Sequence, residues 1–232
     1  MEKLKYFQED WNEYSKVINT NFLYHTEIKE KFKLTIENYL KNCEESIIIV
    51  DFGCGDCSQI IPNLYNNRIK KFVGIDSTIA ALNSAEEILK SANLKLDYEL
   101  KLAKLEDCDQ LFPEGSIDII YLCYSLHHLS KYDKEEFLRS SHKKLKNNGV
   151  LFISDGILPE NRNQNDWINL FESKMYEKSF SQKEIKNMID HCKNDDNHET
   201  ISFYKKICKN LKFKKFNILF RSDLTIIFTL ER

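Results

Sequence analysis

Four apolar runs rich in β-branched residues constrain this chain more than any other feature: Ser46-Ile47-Ile48-Ile49-Val50-Asp51-Phe52, Phe72-Val73-Gly74-Ile75, Ile117-Asp118-Ile119-Ile120-Tyr121-Leu122 and Val150-Leu151-Phe152-Ile153. None shows the polar alternation of a strand with one wet face, so each reads as a strand covered on both sides, as in a parallel sheet. Helical spacing fills the gaps between them. Thr78 to Lys90 starts at a Thr78 N-cap, and Asp133 to Lys146 is closed by Asn147-Asn148-Gly149 as a C-cap. Ahead of the first strand, Ile28, Phe32, Ile36, Tyr39 and Leu40 mark an amphipathic helix over Thr26 to Lys41.

Strand alternating with helix predicts an α/β fold, a Rossmann-like doubly wound sheet. Pro159 to Asn210 breaks the rhythm with a polar, helical stretch that places Trp167, Leu170, Phe171 and Met175 at helical spacing. The chain then closes with strand-like runs Phe213–Phe220 and Leu224–Leu230, joined by Arg221-Ser222-Asp223. Three residues permit only a hairpin, so the mostly parallel sheet gains a C-terminal antiparallel strand. The expected organisation is one domain over 1–232: an N-terminal helical cap (1–44), a binding core (45–157), a helical insertion or lid (158–210) and a terminal β-hairpin (211–232).

Composition removes several function classes. With 42% hydrophobic and 30% charged residues the chain is not a disordered one. Lys+Arg 34 against Asp+Glu 36 leaves a net charge of -2, so no global field gathers nucleic acid or anionic lipid. No apolar run approaches the roughly 20 residues needed to cross a bilayer, and no apolar segment of a secretory signal follows Met1. Seven irregularly spaced cysteines suit free thiols in a reducing compartment, which points to the cytoplasm.

The chemistry centres on Asp51-Phe52-Gly53-Cys54-Gly55-Asp56-Cys57, where the first strand should turn into a helix. Two glycines at i and i+2 let the backbone pass close to a ligand. Asp76 closes the second strand about 20 residues on, where an acid accepts hydrogen bonds from ribose hydroxyls. A carboxylate at Asp51 would repel a pyrophosphate and suits a ligand with an ammonium group. Cys54-x-x-Cys57 has no second Cys/His pair beside it to complete a metal site, so small residues in a crowded turn is the preferred reading, and no metal is expected.

Together these residues resemble the class I S-adenosylmethionine-dependent methyltransferases, whose first motif is an acidic residue followed by x-G-x-G-x-G. The likeness covers Ser46 to Ile157 and the terminal hairpin. It implies S-adenosyl-L-methionine as cofactor, with Asp51, Gly53 and Gly55 at its methionine end and Asp76 on the ribose. Leu105 would touch the adenine, and Glu106 or Asp107 would take its exocyclic amine. Cys57 departs from the pattern at the third glycine, and Ser77 where an apolar residue usually meets the ring.

The fourth strand ends in Leu122-Cys123-Tyr124-Ser125-Leu126-His127-His128-Leu129, and ligands of open α/β sheets bind beyond the carboxyl ends of strands. This resembles small-molecule methyltransferases in which a His pair follows that strand; Tyr124 would lie at the cofactor, and His127 and His128 are the catalytic candidates, as base or as positioning groups. The resemblance also implies an N-terminal Tyr or His near the methionine moiety, here Tyr14 and His25 within the lead Trp11, Tyr14, Phe22, Tyr24, His25. His191 and His198 read as solvated surface residues and His142 as structural. The basic run from Lys205 to Lys215 reads as a solvated face.

The expected activity is methyl transfer to an O- or N-nucleophile of a small molecule under the insertion, with Trp167, Phe171 and Tyr176 lining the acceptor pocket and nearby acids attracting an amine. Two alternatives stay open. One is a tRNA-modifying enzyme on the same fold; the other is an NAD(P)-dependent oxidoreductase or nucleotide-binding module, whose loop should read G-x-G-x-x-G where Ser58 stands here. A tRNA enzyme should offer a continuous positive surface, which the insertion does not.

Overall fold

The computed structural model describes residues 16–232, which leaves Trp11 and Tyr14 outside the described residues. The strands are β1 (Ile47–Phe52), β2 (Ile69–Asp76), β3 (Asp97–Leu102), β4 (Ile117–Cys123), β5 (Leu145–Leu158), the short β6 (Glu199–Thr200), β7 (Lys215–Arg221) and β8 (Thr225–Glu231). They form one sheet in the order β3-β2-β1-β4-β5-β8-β7, with β6 paired to β5 beyond its end. Strands β1 to β5 pair in parallel, and β8 alone runs against its neighbours β5 and β7. The fold is thus α/β and Rossmann-like, with the antiparallel C-terminal strand that the three-residue turn demanded.

Alternation is absent from the central runs because both faces are dry. Val50, Ile75, Ile120, Ile153 and Phe228 face one apolar cluster, and Ile49, Phe72, Tyr121 and Phe152 face the other. Helices α1 (His25–Lys41) and α2 (Ile79–Ser91) cover the second through Phe32, Ile36, Leu82 and Leu89. Helix α3 (Lys131–Lys144) covers the first through Phe137 and Leu138. Edge strand β3 was not visible in the sequence: its residues are half-buried or exposed and carry no β-branched run.

The insertion holds α4 (Gln164–Glu177), α5 (Gln182–Asp195), β6 and α6 (Ile201–Asn210). Helices α4 and α5 share a third apolar cluster with Val17, Phe22 and Leu23. Helix α6 lies outside that pair: Tyr204 packs 5.1 Å from Phe228, and Phe203 and Ile207 join the cluster under the sheet.

Two caps differ from expectation. Helix α3 stops at Lys144, two residues early, because Leu145 is fully buried and already pairs with Ile117 in β5. Asn148 takes a left-handed φ of 66° and donates its N–H to the Arg232 carbonyl, so Asn147-Asn148-Gly149 is a bend within a strand rather than a helix cap. Thr78 sits at the N-cap of α2, but its side chain caps nothing; its own N–H is bound by Asp76 Oδ1 at 2.8 Å.

Candidate active site

At the carboxyl end of β1 the chain leaves the sheet through a loop that only small residues can make. Gly53 has φ +77°, and a Cβ there would stand 2.5 Å from Ser125 Cβ. Gly55, φ +54°, has nothing among the described residues within 4 Å of a Cβ, so its side of the loop is an open cradle. Cys57, at the position of the missing glycine, adopts φ +64°, so the left-handed turn persists on a residue that pays a steric cost for it.

Two carboxylates flank this loop. Asp76 is buried; its Oδ2 accepts the Gly55 N–H at 3.0 Å while its Oδ1 holds Thr78. Burial raises its pKa, and the backbone N–H donors oppose that rise. Asp51 is 3% exposed, and its Oδ1 has no hydrogen-bond partner among the described residues. Burial and then the neighbouring Asp76 push the Asp51 carboxyl well above the usual range. An orphaned acid beside a second acid fits a cation, and the ammonium of an S-adenosylmethionine tail meets that need. The Cys54 thiol is held far above its ordinary pKa by its bond to Cys57 and by burial, the opposite of a reactive dithiol.

Beyond β3, Leu105–Asp107 form one 3₁₀ turn. Leu105 is half-buried, Glu106 is exposed, and Asp107 Oδ2 accepts the Lys104 N–H at 3.0 Å, which leaves Glu106 as the freer acid. Ser77 is exposed. Sequence reasoning passed over two apolar residues at this end of the sheet, Ile79 and Leu102, which are 51% and 60% exposed; Leu102 is the register partner of Asp76.

The loop after β4 is tied to the glycine loop by Ser125 Oγ, which donates to the Phe52 carbonyl at 2.9 Å. Tyr124, at φ +52°, donates its hydroxyl to the Leu23 carbonyl at 2.6 Å and lies 3.0 Å from Thr225 Oγ1. Its ring is 5.5 Å from that of buried His25, whose pKa burial and then Lys29 lower to about 4. Tyr14 falls outside the described residues.

His127 is buried, and its Nδ1 is bonded to Asp155 Oδ1 at the end of β5. Burial works against a charge on this ring, but Asp155 and Asp196 outweigh it and raise the pKa to about 9. His128, with 44% of its side chain exposed, is lowered to about 3 by desolvation and then by the charge of His127. His198 is not the surface residue expected: it is 6% exposed and stacks 3.9 Å from Trp167. Its ring fills the space over Gly156, where a Cβ would overlap it.

Trp167 and Phe171 also differ from expectation. They are 3% and 2% exposed, stack 4.9 Å apart, and the indole N–H donates to the Leu224 carbonyl at 3.3 Å. They offer no free surface to an acceptor, because the third cluster needs their area as its core. Tyr176 is 53% exposed and is not part of that packing. Of Asp190, Asp195, Asp196 and Glu199, the acids expected to attract an amine, Asp195 lies on His191, Glu199 is 3.8 Å from Lys131 Nζ and Asp196 sits among histidines. A groove of about 700 Å³ between Arg162, Asp166, Arg221 and Asp223 contains none of these residues.

A family model described as a methyltransferase domain matches residues 50–151, which span the glycine loop, Asp76 and the His pair. A curated relative, carboxy-S-adenosyl-L-methionine synthase of Campylobacter fetus subsp. fetus, is 21% identical over 206 residues, 88% of this chain and 84% of its own. Among solved structures, the YcgJ protein of Bacillus subtilis superposes with a TM-score of 0.61 at 14% identity, over 87% of this chain and 98% of that one. A geranyl diphosphate methyltransferase in complex with GPP and sinefungin gives 0.62 at 10% identity, over 88% and 78%. The solved structures match the fold, and the domain match falls on the loop and acids described above. Residues 50–151 carry a methyltransferase domain, and that match together with the relatives supports a class I S-adenosylmethionine-dependent methyltransferase with S-adenosylmethionine as cofactor.

Proposed function

We propose that this enzyme transfers the methyl group to an oxygen or nitrogen of a small molecule held beside His127 and His128, in the cytoplasm, where its seven free thiols stay reduced. Asp51 carries the reading of the cofactor's orientation: a buried acid with an unpartnered oxygen, over an open glycine cradle, suits an ammonium and not a phosphate. In this arrangement Asp51 takes the amino group, Gly53 and Gly55 admit the chain of the ligand, and Asp76 turns an oxygen to the ribose diol. Glu106, with Asp107 behind it, takes the adenine amine, while Leu105, Leu102 and Ile79 flank the ring. Tyr124 and His25 support the wall at the methionine end. Tyr176 is the one remaining aromatic of the insertion able to meet an acceptor.

Bound S-adenosylmethionine supplies a methyl on an activated sulfonium, so holding the acceptor in line provides much of the rate. His127, its Nδ1 held by Asp155, orients the acceptor rather than accepting its proton. The acceptor class is tested by incubating the enzyme with methyl-labelled cofactor and either a metabolite extract or bulk tRNA at moderate salt. Label is expected in low-mass products. Label in tRNA refutes the reading, and a carboxylated cofactor would instead support the activity named for the Campylobacter relative.

A further inference from the structure

Asp196 follows α5, and its side chain is 5% exposed with an Oδ1 that has no hydrogen-bond partner among the described residues. Histidines surround it. His127 Nε2 is 3.6 Å, His128 Nδ1 3.5 Å and His191 Nε2 3.7 Å from Oδ1, and His198 Nε2 is 3.9 Å from Oδ2. These gaps exceed the roughly 2.7–3.2 Å of N–H···O bonds. They instead approach the separation of two ligands on one ion, about 3.4 Å for bonds of about 2.0–2.2 Å at tetrahedral angles. One ligand atom from each of His127, His128 and Asp196 lies within 4.8 Å of the others.

The far side of the rings matches the same purpose. His127 Nδ1 is bound by Asp155 Oδ1, which also accepts the Gly156 N–H at 2.8 Å. His191 Nδ1 is 3.3 Å from Asp195 Oδ2, and His198 Nδ1 is 2.9 Å from Gln164 Nε2. Metal-ligating histidines are oriented in this way, with one nitrogen on an outer partner and the other turned inward. The two chain segments are clamped by the Asn197 N–H, which donates to the His127 carbonyl at 2.8 Å.

We propose that His127, His128 and Asp196 hold one first-row divalent metal ion, with His191 bordering the site and not joining that set. Imidazoles with one carboxylate suit zinc, iron, cobalt or nickel better than magnesium or calcium. His198 remains a packing residue on Trp167. The expectation of no metal rested on Cys54 and Cys57, whereas these ligands come from the turn after β4 and the end of α5. The cluster sits beyond the ends of β4 and β5, so an ion there would take the acceptor's heteroatom as a further ligand and favour its deprotonated form. Only that role, not the binding itself, rests on the methyl-transfer reading above.

The test uses tag-free, chelator-treated protein titrated with cobalt(II). The expected result is one equivalent bound with a visible ligand-field band and no sulfur-to-cobalt charge-transfer band. Asp196→Asn and the half-exposed His128→Ala should each weaken binding 10–100-fold, while circular dichroism stays that of wild type. No stoichiometric binding, binding kept by folded variants of both kinds, or a sulfur band locating the ion on cysteine each overturns the proposal. Absent cobalt binding with labelled low-mass products rejects the metal alone; bound cobalt with no transfer product rejects the acceptor reading and leaves the site.

Discussion

Replacing Asp51 by Asn separates what this acid costs the fold from what it does for the cofactor. Its carboxyl is 3% exposed, lacks a partner on Oδ1, and is pushed well above the usual carboxylate range by burial and then by Asp76. A folded pKa above the unfolded value of about 3.9 gives a contribution fully present below that value and lost as pH rises through the folded one. Within that window wild type should lose about 1.4 kcal/mol per pH unit relative to Asp51→Asn. The two proteins should therefore unfold alike near pH 4, and the variant should be the more stable at pH 7. The opposite holds for binding. Without the charge, the ammonium loses a charge-assisted hydrogen bond of about 1.5–3 kcal/mol, so S-adenosylhomocysteine should bind about 10–150-fold more weakly. Urea unfolding from pH 4 to 8 and titration calorimetry measure the two effects. A variant less stable than wild type at pH 7 that binds the product equally well would refute the reasoning.

Three further outcomes follow from the same geometry. Gly156→Ala places a methyl into the His198 ring against Trp167 and should cost about 1–3 kcal/mol in urea unfolding; an unchanged midpoint would show that the ring moves freely. His25, held near pKa 4 against an unfolded value of 6.5, stays neutral in the fold while the unfolded chain protonates, so stability should fall by about 3 kcal/mol between pH 6.5 and 4. The difference between wild type and His25→Phe isolates that slope, and equal slopes would dismiss it. Trp167→Ala should destabilise by about 3–5 kcal/mol as a core truncation, whereas Tyr176→Ala should shift stability by less than about 0.5 kcal/mol and act on acceptor KM; a Trp167 variant with wild-type stability would restore it as a pocket residue.

Local sequence carried the centre of the fold because its signals are local. A strand with dry faces on both sides needs an unbroken apolar run, and β1, β4 and β5 have one. A three-residue link admits only a reversal, which set the direction of β8. Gly53 and Gly55 bear a positive φ in the loop after a buried strand, and Asp51 and Asp76 stand side by side at the ends of paired strands whose link holds only the 3₁₀ turn Ile61–Asn63 in place of the expected helix. Where the competing force was tertiary, the sequence was silent or misleading. The end of α3 moved because Leu145 is claimed by the sheet, and Asn-Gly chemistry bends a strand as readily as it stops a helix. Trp167 reads as amphipathic and polar-flanked, but only the packed α4–α5 pair shows that its face is filled. The histidine–aspartate cluster is the clearest case. Two helices and a strand separate His127 and His128 from α5, which carries His191 and leads into Asp196 and His198, and no periodicity links them. They meet because β6 pairs with the end of β5 at Ile157–Glu199 and Leu158–Thr200, which draws the end of α5 onto the loop after β4. Residue types and local spacing decide which elements form; which polar groups then share a buried site depends on chain crossings that only the assembled sheet creates.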